Sequence, residues 1–162
     1  MKLNLGCGNH PLEGYTNVDL NPAWADVVTD IRDLSVFDDN IADEVVASHV
    51  IEHFFHWEVQ TLLAEWKRVL KPGGIIYVEC PNIKNCALML LHGEFHDRVT
   101  MWGLYGDPGH KDPLMCHKWG YTPQTLAHEL KTAGFENLGT APTAKVHWRD
   151  MRMVGSKPLG DK

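Results

Sequence analysis

The apolar positions of the chain change their period several times, and each change marks an element. Lys2 to Leu5 is a short apolar run closed by Gly6-Cys7-Gly8, and Tyr15 to Leu20 (YTNVDL) is a second strand candidate. Asp26 to Asp30 (DVVTD) and Asp43 to Ser48 (DEVVAS) are β-branched runs that end in polar residues, which adds two buried strands. From Val59 the period becomes helical: Leu62, Leu63, Trp66, Val69 and Leu70 fall on one face, and Lys71-Pro72-Gly73-Gly74 is expected to end the helix. Gly74 to Glu79 reads as the next strand, closed by Pro81-Asn82, and Ile83 to Leu91 as a helix. His92 to Tyr121 has no clean period and is rich in Gly, His, Asp and aromatics, the mark of a long functional loop or lid with one short helix. Thr122 caps a helix that starts at Pro123, carries Leu126, Leu130 and Ala133 on one face and stops at Gly134. Phe135 to Gly139 and Met151 to Ser156 close the chain as a strand pair, and the tail from Lys157 is expected to fray.

Strands alternating with helices argue an open, mostly parallel α/β sheet. One connection does not fit the usual form. Only Asn9 to Gly14 separate the first two strands, and a parallel crossover normally takes about 10 to 12 residues or more. Either these strands are not adjacent and parallel, or the fold has lost a helix.

Composition narrows the picture. At 162 residues the chain has the length of one domain, 1–162, with a lid or acceptor-site insertion around 92–121. No apolar run approaches the ~20 residues of a membrane span, so no membrane association is expected. MKLNLGCG lacks the h-region of a signal peptide, which predicts a cytoplasmic location. The four cysteines stand apart without C-x-x-C spacing, so neither a zinc knuckle nor a disulfide framework is indicated. A net charge of −6 and the lack of a basic run argue against a nucleic-acid partner.

Two constellations carry chemistry. The first is LNLGCG, where glycines directly after a strand let a ligand approach the backbone at the carboxyl edge of the sheet. A dinucleotide would need a third glycine near Pro11 and a helix N-terminus for its pyrophosphate, and neither is present. Acids at successive strand ends strengthen the site. Asp19 can accept both hydroxyls of a ribose, and Asp30 or Asp33 follows the third strand where an adenine amino group would lie. The second is SHVIEHFFH, Ser48 to His56, which contains the H-x-x-E-H letters of inverted zinc proteases. That chemistry needs both histidines on one helical face, whereas His49 directly follows an apolar strand.

In order and spacing, LNLGCG, NVDL, TDIRDLSVFDDNIADEVVASHVIEH and LLAEWKRVLKPGGIIYVECPN resemble the class I, Rossmann-like S-adenosylmethionine-dependent methyltransferases, particularly small ones of the type-11 kind. The matches run from Lys2 to about Asn82, and the AGF at Phe135 also fits. The resemblance implies a sheet of about seven strands, one of them antiparallel, and S-adenosylmethionine as cofactor with S-adenosylhomocysteine as product. It implies that Gly6, Cys7 and Gly8 pass the methionine moiety and ribose, and that Asp19 holds the ribose diol. Leu20 would touch the adenine with Asp30 and Ile31 at its edge, and Ser48 and His49 would lie beside the methionine part. The helix that normally follows the glycine motif is replaced by NHPLEG, so Asn9 and His10 are expected to help cover the cofactor.

Methyl transfer to an oxygen or nitrogen of a small-molecule acceptor is the activity this implies, by a monomer or homodimer. A base is needed where the acceptor must lose a proton, and His53, His110 and His117 are the candidates because imidazole titrates near neutrality. No metal is expected. Trp102, Tyr105, Trp119 and Tyr121 are read as lid packing or as a cap on an apolar acceptor, and Asp107 and Lys118 as polar groups that could orient it. Glu52 and His53 either hold the strand-to-helix corner or line the pocket. The rival readings are a non-catalytic S-adenosylmethionine-binding module and a metal-dependent hydrolase using His49, Glu52 and His53.

Overall fold

A computed structural model describes residues 1–92 and 97–160. Seven strands form one sheet: β1 (Lys2–Leu5), β2 (Thr16–Asp19), β3 (Val27–Val28), β4 (Ala42–Ser48), β5 (Leu70–Pro81), β6 (Glu136–Ala141) and β7 (Asp150–Ser156). Their order is β3-β2-β1-β4-β5-β7-β6. The first five pair in parallel, while β7 runs antiparallel to both β5 and β6. This is the expected fold class.

Leu3, Leu5, Val18, Val45, Ala47, Ile76 and Val78 all join the main apolar core. Against them packs α1 (Val59–Val69), which buries Val59, Leu62, Leu63, Trp66 and Val69 as its period predicts. Helix α4 (Pro123–Thr132) adds Leu126 and Leu130, with Thr122 Oγ1 accepting the Thr125 amide as the cap. Helix α2 (Ile83–His92), expected just before the lid, and α3 (Asp97–Tyr105), within the segment read as a lid, pack mainly on each other. Two 3-10 turns, Pro108–His110 and Pro113–Met115, follow them.

The short first connection is a lost helix, since β1 and β2 are adjacent and parallel. Parallel sheets covered on both faces show continuous apolar runs, whereas here the second face alternates into polar residues. Asn4 lies opposite Asn17 in the register, and Asn4 donates to the Asn17 side-chain oxygen at 2.9 Å. The same oxygen accepts the Leu12 amide at 2.7 Å, and Asn4 also donates to the His10 carbonyl at 3.2 Å. Two buried amides thus fasten a loop where a helix would otherwise cover the sheet. Further along this face Lys2 pairs with Glu44 at 3.2 Å, and the Arg152 guanidinium lies 4.7 Å from the centre of the Tyr77 ring.

Two expectations are corrected. The first helix ends at Val69, because Leu70 already pairs with Ala42 as the start of β5. Lys71 to Gly74 stand against Asp43 alone on β4, so the pairing absorbs three extra residues before Glu44 meets Ile75, and Gly73 takes a φ of +79° there. Lys157 does not fray. Its backbone pairs with Gly73 and Gly74, and its ammonium donates to Asn40 at 2.8 Å; residues 161 and 162 of the predicted tail, like 93–96 of the lid, lie outside the described residues.

Candidate cofactor and acceptor site

The carboxyl ends of β1, β2, β4 and β5 and the start of β7 converge on one region. After β1 the chain turns at once: the Gly6 and Cys7 amides both donate to the Val18 carbonyl, at 2.8 and 3.2 Å. Gly6 and Gly8 hold φ of +65° and +50°, and a Cβ on Gly6 would lie 2.7 Å from a Val50 methyl. The Gly8 amide donates to Asp19 Oδ2 at 2.8 Å, and the Asn21 amide to Oδ1 at 2.9 Å. The Asp19 carboxylate is thereby aimed and still has lone pairs for two hydroxyls. Leu20 stands 57% exposed beside it, an apolar surface with nothing of the protein over it.

Other predicted cofactor residues are placed less openly. Cys7 is buried and burial, with Asp19 and Asp26 nearby, pushes its thiol up to about 11, so it serves as packing rather than as a nucleophile. Asp30 is held by both the side chain and backbone of Arg32, at 2.6 to 3.1 Å. Ile31 is buried, and its carbonyl accepts the Trp66 indole N–H at 3.0 Å, which fixes the turn after β3. Asn9 and His10 lie exposed on the turn.

Ser48 ends β4, and His49 follows in the left-handed region at φ +58°. The residues after it, Ile51–His53, form a 3-10 turn, so His49 and His53 do not share an α-helical face and the inverted zinc-protease geometry does not form. His49 instead sits inside a charged cluster. Its Nδ1 is 3.2 Å from Glu52, and its Nε2 is 3.1 Å from Asp150 and 3.9 Å from Glu79. Burial alone would lower the His49 pKa, but Asp150 and Glu52 on either side override it and hold the imidazole at about 9. Burial would likewise raise Glu52 and Asp150, yet His49 keeps both below the usual carboxylate range.

Glu79, Asp150 and Arg149 complete this region and are absent from the residues expected from sequence. Glu79 accepts the Ala144 and Lys145 amides at 2.7 and 3.2 Å and so folds the 142–149 segment over the strand ends. Arg149 grips Asp150 through two bonds at 2.6 and 3.1 Å. The only signal for Glu79 was an acid inside an otherwise apolar strand. Tyr121, read as a lid aromatic, belongs to the core with no exposure, and its Asn82 bridge extends the sheet by one pair.

On the lid side the Glu52 carbonyl accepts the Lys118 and Trp119 amides, at 2.8 and 3.3 Å, and brings His117 against the corner. The His53 and His117 rings meet edge to face at 4.9 Å. His117 Nδ1 lies 3.0 Å from the Gly103 carbonyl, and its Nε2 is 4.0 Å from Glu52. His110 is exposed on its 3-10 turn and is not brought to this pair. Asp107 is taken up in capping that turn, where it accepts the Gly109 amide at 2.8 Å. On the lid opens a groove of about 790 Å³, lined by Trp102, Tyr105, Asp107, Lys111, Met115 and Cys116 among others, and the Cys116 carbonyl, 3.3 Å from His53 Nδ1, joins it to the corner.

Comparison with known proteins agrees with this layout. Residues 3–78 match the family model of a methyltransferase domain, type 11. A probable S-adenosylmethionine-dependent methyltransferase of Mycolicibacterium smegmatis is 33% identical over 122 residues, 73% of this chain and 39% of the relative. The chain therefore spans about two fifths of the length of that curated relative. Among solved structures, a methyltransferase of Methanosarcina mazei has a TM-score of 0.68 at 20% identity, covering 98% of this chain and 92% of its own. One from Archaeoglobus fulgidus has a TM-score of 0.66 at 19% identity, covering 96% and 85%. Residues 3–78 are thus similar to a methyltransferase domain, and the sheet that carries them has the Rossmann-like fold seen in those solved S-adenosylmethionine-dependent methyltransferases. The cofactor of that class is S-adenosylmethionine. Among the described residues, no helix is long and apolar enough to cross a membrane.

Proposed function

We propose that this chain transfers the methyl group of S-adenosylmethionine to an oxygen or nitrogen of a small-molecule acceptor, as one domain whose 92–121 segment forms the acceptor side. The observation that carries the cofactor half is the contact of the Gly8 amide with Asp19. It joins a glycine turn to an aimed carboxylate at adjacent strand ends, which is what a ribose diol and an approaching methionine moiety require. Leu20 and the backbone of Asp30 and Ile31 would border the adenine, and Ser48 and His49 the methionine part. The lid groove that reaches Cys116, next to His53 and His117, supports the acceptor half.

Displacement at the methyl carbon consumes the positive charge of the sulfonium, so alignment is the main requirement and can contribute about 7 to 11 kcal/mol. The acceptor proton is the chain's remaining task. With its Nδ1 hydrogen donated to Gly103, His117 offers Nε2 as an acceptor toward the site, and His53 stands against it. His110 stands exposed on a separate 3-10 turn, away from the Gly103 and Glu52 contacts that orient His117.

Calorimetric titration with S-adenosylmethionine tests the cofactor half: Asp19→Ala should weaken binding by tenfold or more, about 1.4 kcal/mol or above. An unaltered affinity would remove Asp19 from the site. Against an acceptor panel, formation of S-adenosylhomocysteine separates an enzyme from a module that only binds the cofactor. His117→Ala should lower turnover by about a hundredfold at unchanged cofactor affinity, and His110→Ala should not.

A further inference from the structure

Glu52 is 1% exposed, and neither of its carboxylate oxygens has a hydrogen-bond partner. The 3.2 Å approach of His49 supplies charge without hydrogen-bond geometry. A buried carboxylate left in this way is costly, so each such group calls for an explanation. The neighbouring histidines narrow the choice. A carbonyl oxygen only accepts, so the 3.0 Å contact with Gly103 places a proton on His117 Nδ1 and directs Nε2 at Glu52 from 4.0 Å, too far for a hydrogen bond. His53 does the same with Nδ1 toward the Cys116 carbonyl at 3.3 Å. Imidazoles that ligate metals almost always donate their other N–H to a carbonyl or carboxylate, which fixes the ring and its tautomer.

We propose that Glu52, His53 and His117 form a binding site for a divalent cation of the zinc type. One ligand atom from each lies within 4.8 Å of the others. Tetrahedral zinc with bonds of 2.0 to 2.1 Å needs ligand atoms about 3.3 Å apart, so small side-chain rotations close the set. One anionic and two neutral ligands match the preferences of this ion, and three protein ligands leave a fourth position open. Cys116, whose carbonyl lies 3.3 Å from His53 Nδ1, lines the groove assigned above to the acceptor, so the site borders that space. A metal there would polarise an acceptor oxygen and assist loss of its proton to solvent; His117 would then serve as ligand, and the proton-accepting role proposed above would belong to the metal-free chain. This role rests on the methyltransferase reading; the binding itself does not.

A second group, His49, Glu79 and Asp150, has similar spacing but is already supplied. Glu79 accepts two backbone amides, Asp150 is gripped by Arg149, and His49 is flanked by acids. The letters of the H-x-x-E-H string thus divide: its first histidine joins the ion-paired cluster, while its Glu and second histidine turn toward His117.

Metal-stripped protein titrated with Co²⁺ tests the site by the visible absorption of the bound ion. One ion per chain is expected, with affinity reduced by about tenfold or more in His53→Ala, His117→Ala and Glu52→Gln. His128→Ala, which removes an exposed histidine on α4, should bind as the parent does and controls for adventitious surface binding. The absence of saturable one-to-one binding, or parental affinity in both His53→Ala and His117→Ala, would overturn the proposal. Should Glu52→Gln fail to fold, the half-buried His53 still decides. S-adenosylmethionine titration of the same samples reads the cofactor site separately: cofactor binding without Co²⁺ binding sinks the metal site alone.

Discussion

Gly6 is constrained twice. Its φ of +65° is strained for any side chain, and a Cβ would press into Val50 at 2.7 Å. Val50 is buried under the same corner that positions His49, so it has little room to retreat. Gly6→Ala should therefore destabilise the fold by about 1 to 3 kcal/mol, seen as a lower urea midpoint with an unchanged slope. An unchanged midpoint would mean that the turn adapts at no cost. Gly6 and Asp19 were legible in the sequence because a glycine turn and an acid at a strand end are local patterns. Glu79 and Asp150 were not, since neither has a local signature. They meet through the antiparallel pairing of β5 with β7, which sets Glu79 opposite Arg152 and Pro81 opposite Asp150. Long-range register of that kind cannot be read from spacing along the chain.

The β1–β2 connection shows the same division between local and distant information. Its length already required either a missing helix or strands that do not pair, and the parallel register decides for the missing helix. What replaces the helix was hidden, because Asn4 and Asn17 read as ordinary polar residues until the register sets them side by side. Asn17 also receives Asp26: its own amide and side-chain amide donate to Asp26 Oδ2 at 2.8 and 3.0 Å. Asn17→Ala would leave the Leu12 amide and the Asn4 side chain without their acceptor. A loss of about 2 to 3 kcal/mol in urea unfolding is expected, whereas Glu13→Ala on the exposed part of the same loop should change stability by no more than about 0.5 kcal/mol. Equal effects of the two would show that the loop is not fastened by the asparagine pair. The misjudged end of α1 has a related cause. Lys71-Pro72-Gly73-Gly74 has the composition of a helix stop, but pairing of Leu70 with Ala42 claims the chain one residue after Val69. Local propensity there yields to the sheet.

The charge cluster under the lid ties α/β core, corner and closing strand into one titrating unit. Three acids, Glu52, Glu79 and Asp150, surround His49, with Arg149 on Asp150, Arg152 3.9 Å from Glu79, and His10 and Lys145 near enough to be felt. Because the folded His49 pKa is raised from 6.5 to about 9, the folded chain holds a proton that the unfolded chain releases between those values. The stabilisation is fully present below pH 6.5 and is lost as pH rises through about 9; its ceiling is about 3 kcal/mol. Glu52 and Asp150 act in the opposite sense, since both are depressed: their contribution is present above the ordinary carboxylate range and falls away as pH drops through it. Stability should therefore peak near pH 5 to 6.5 and decline on the alkaline side. The raised Cys7 and Tyr15 groups, whose ordinary values are 9.0 and 10.0, do not contribute below pH 9. His10 and His117 are both lowered from 6.5 and act in the opposite sense near that value, so the difference in urea midpoint between the parent and His49→Gln from pH 7 to 8.5 isolates His49. His49→Gln should be less stable at pH 6, where two acids lose their cation, and its midpoint should be nearly flat over that range. If the parent declines no more steeply than His49→Gln, His49 is neutral in the fold, and the cluster is held by Arg149 and the backbone amides instead.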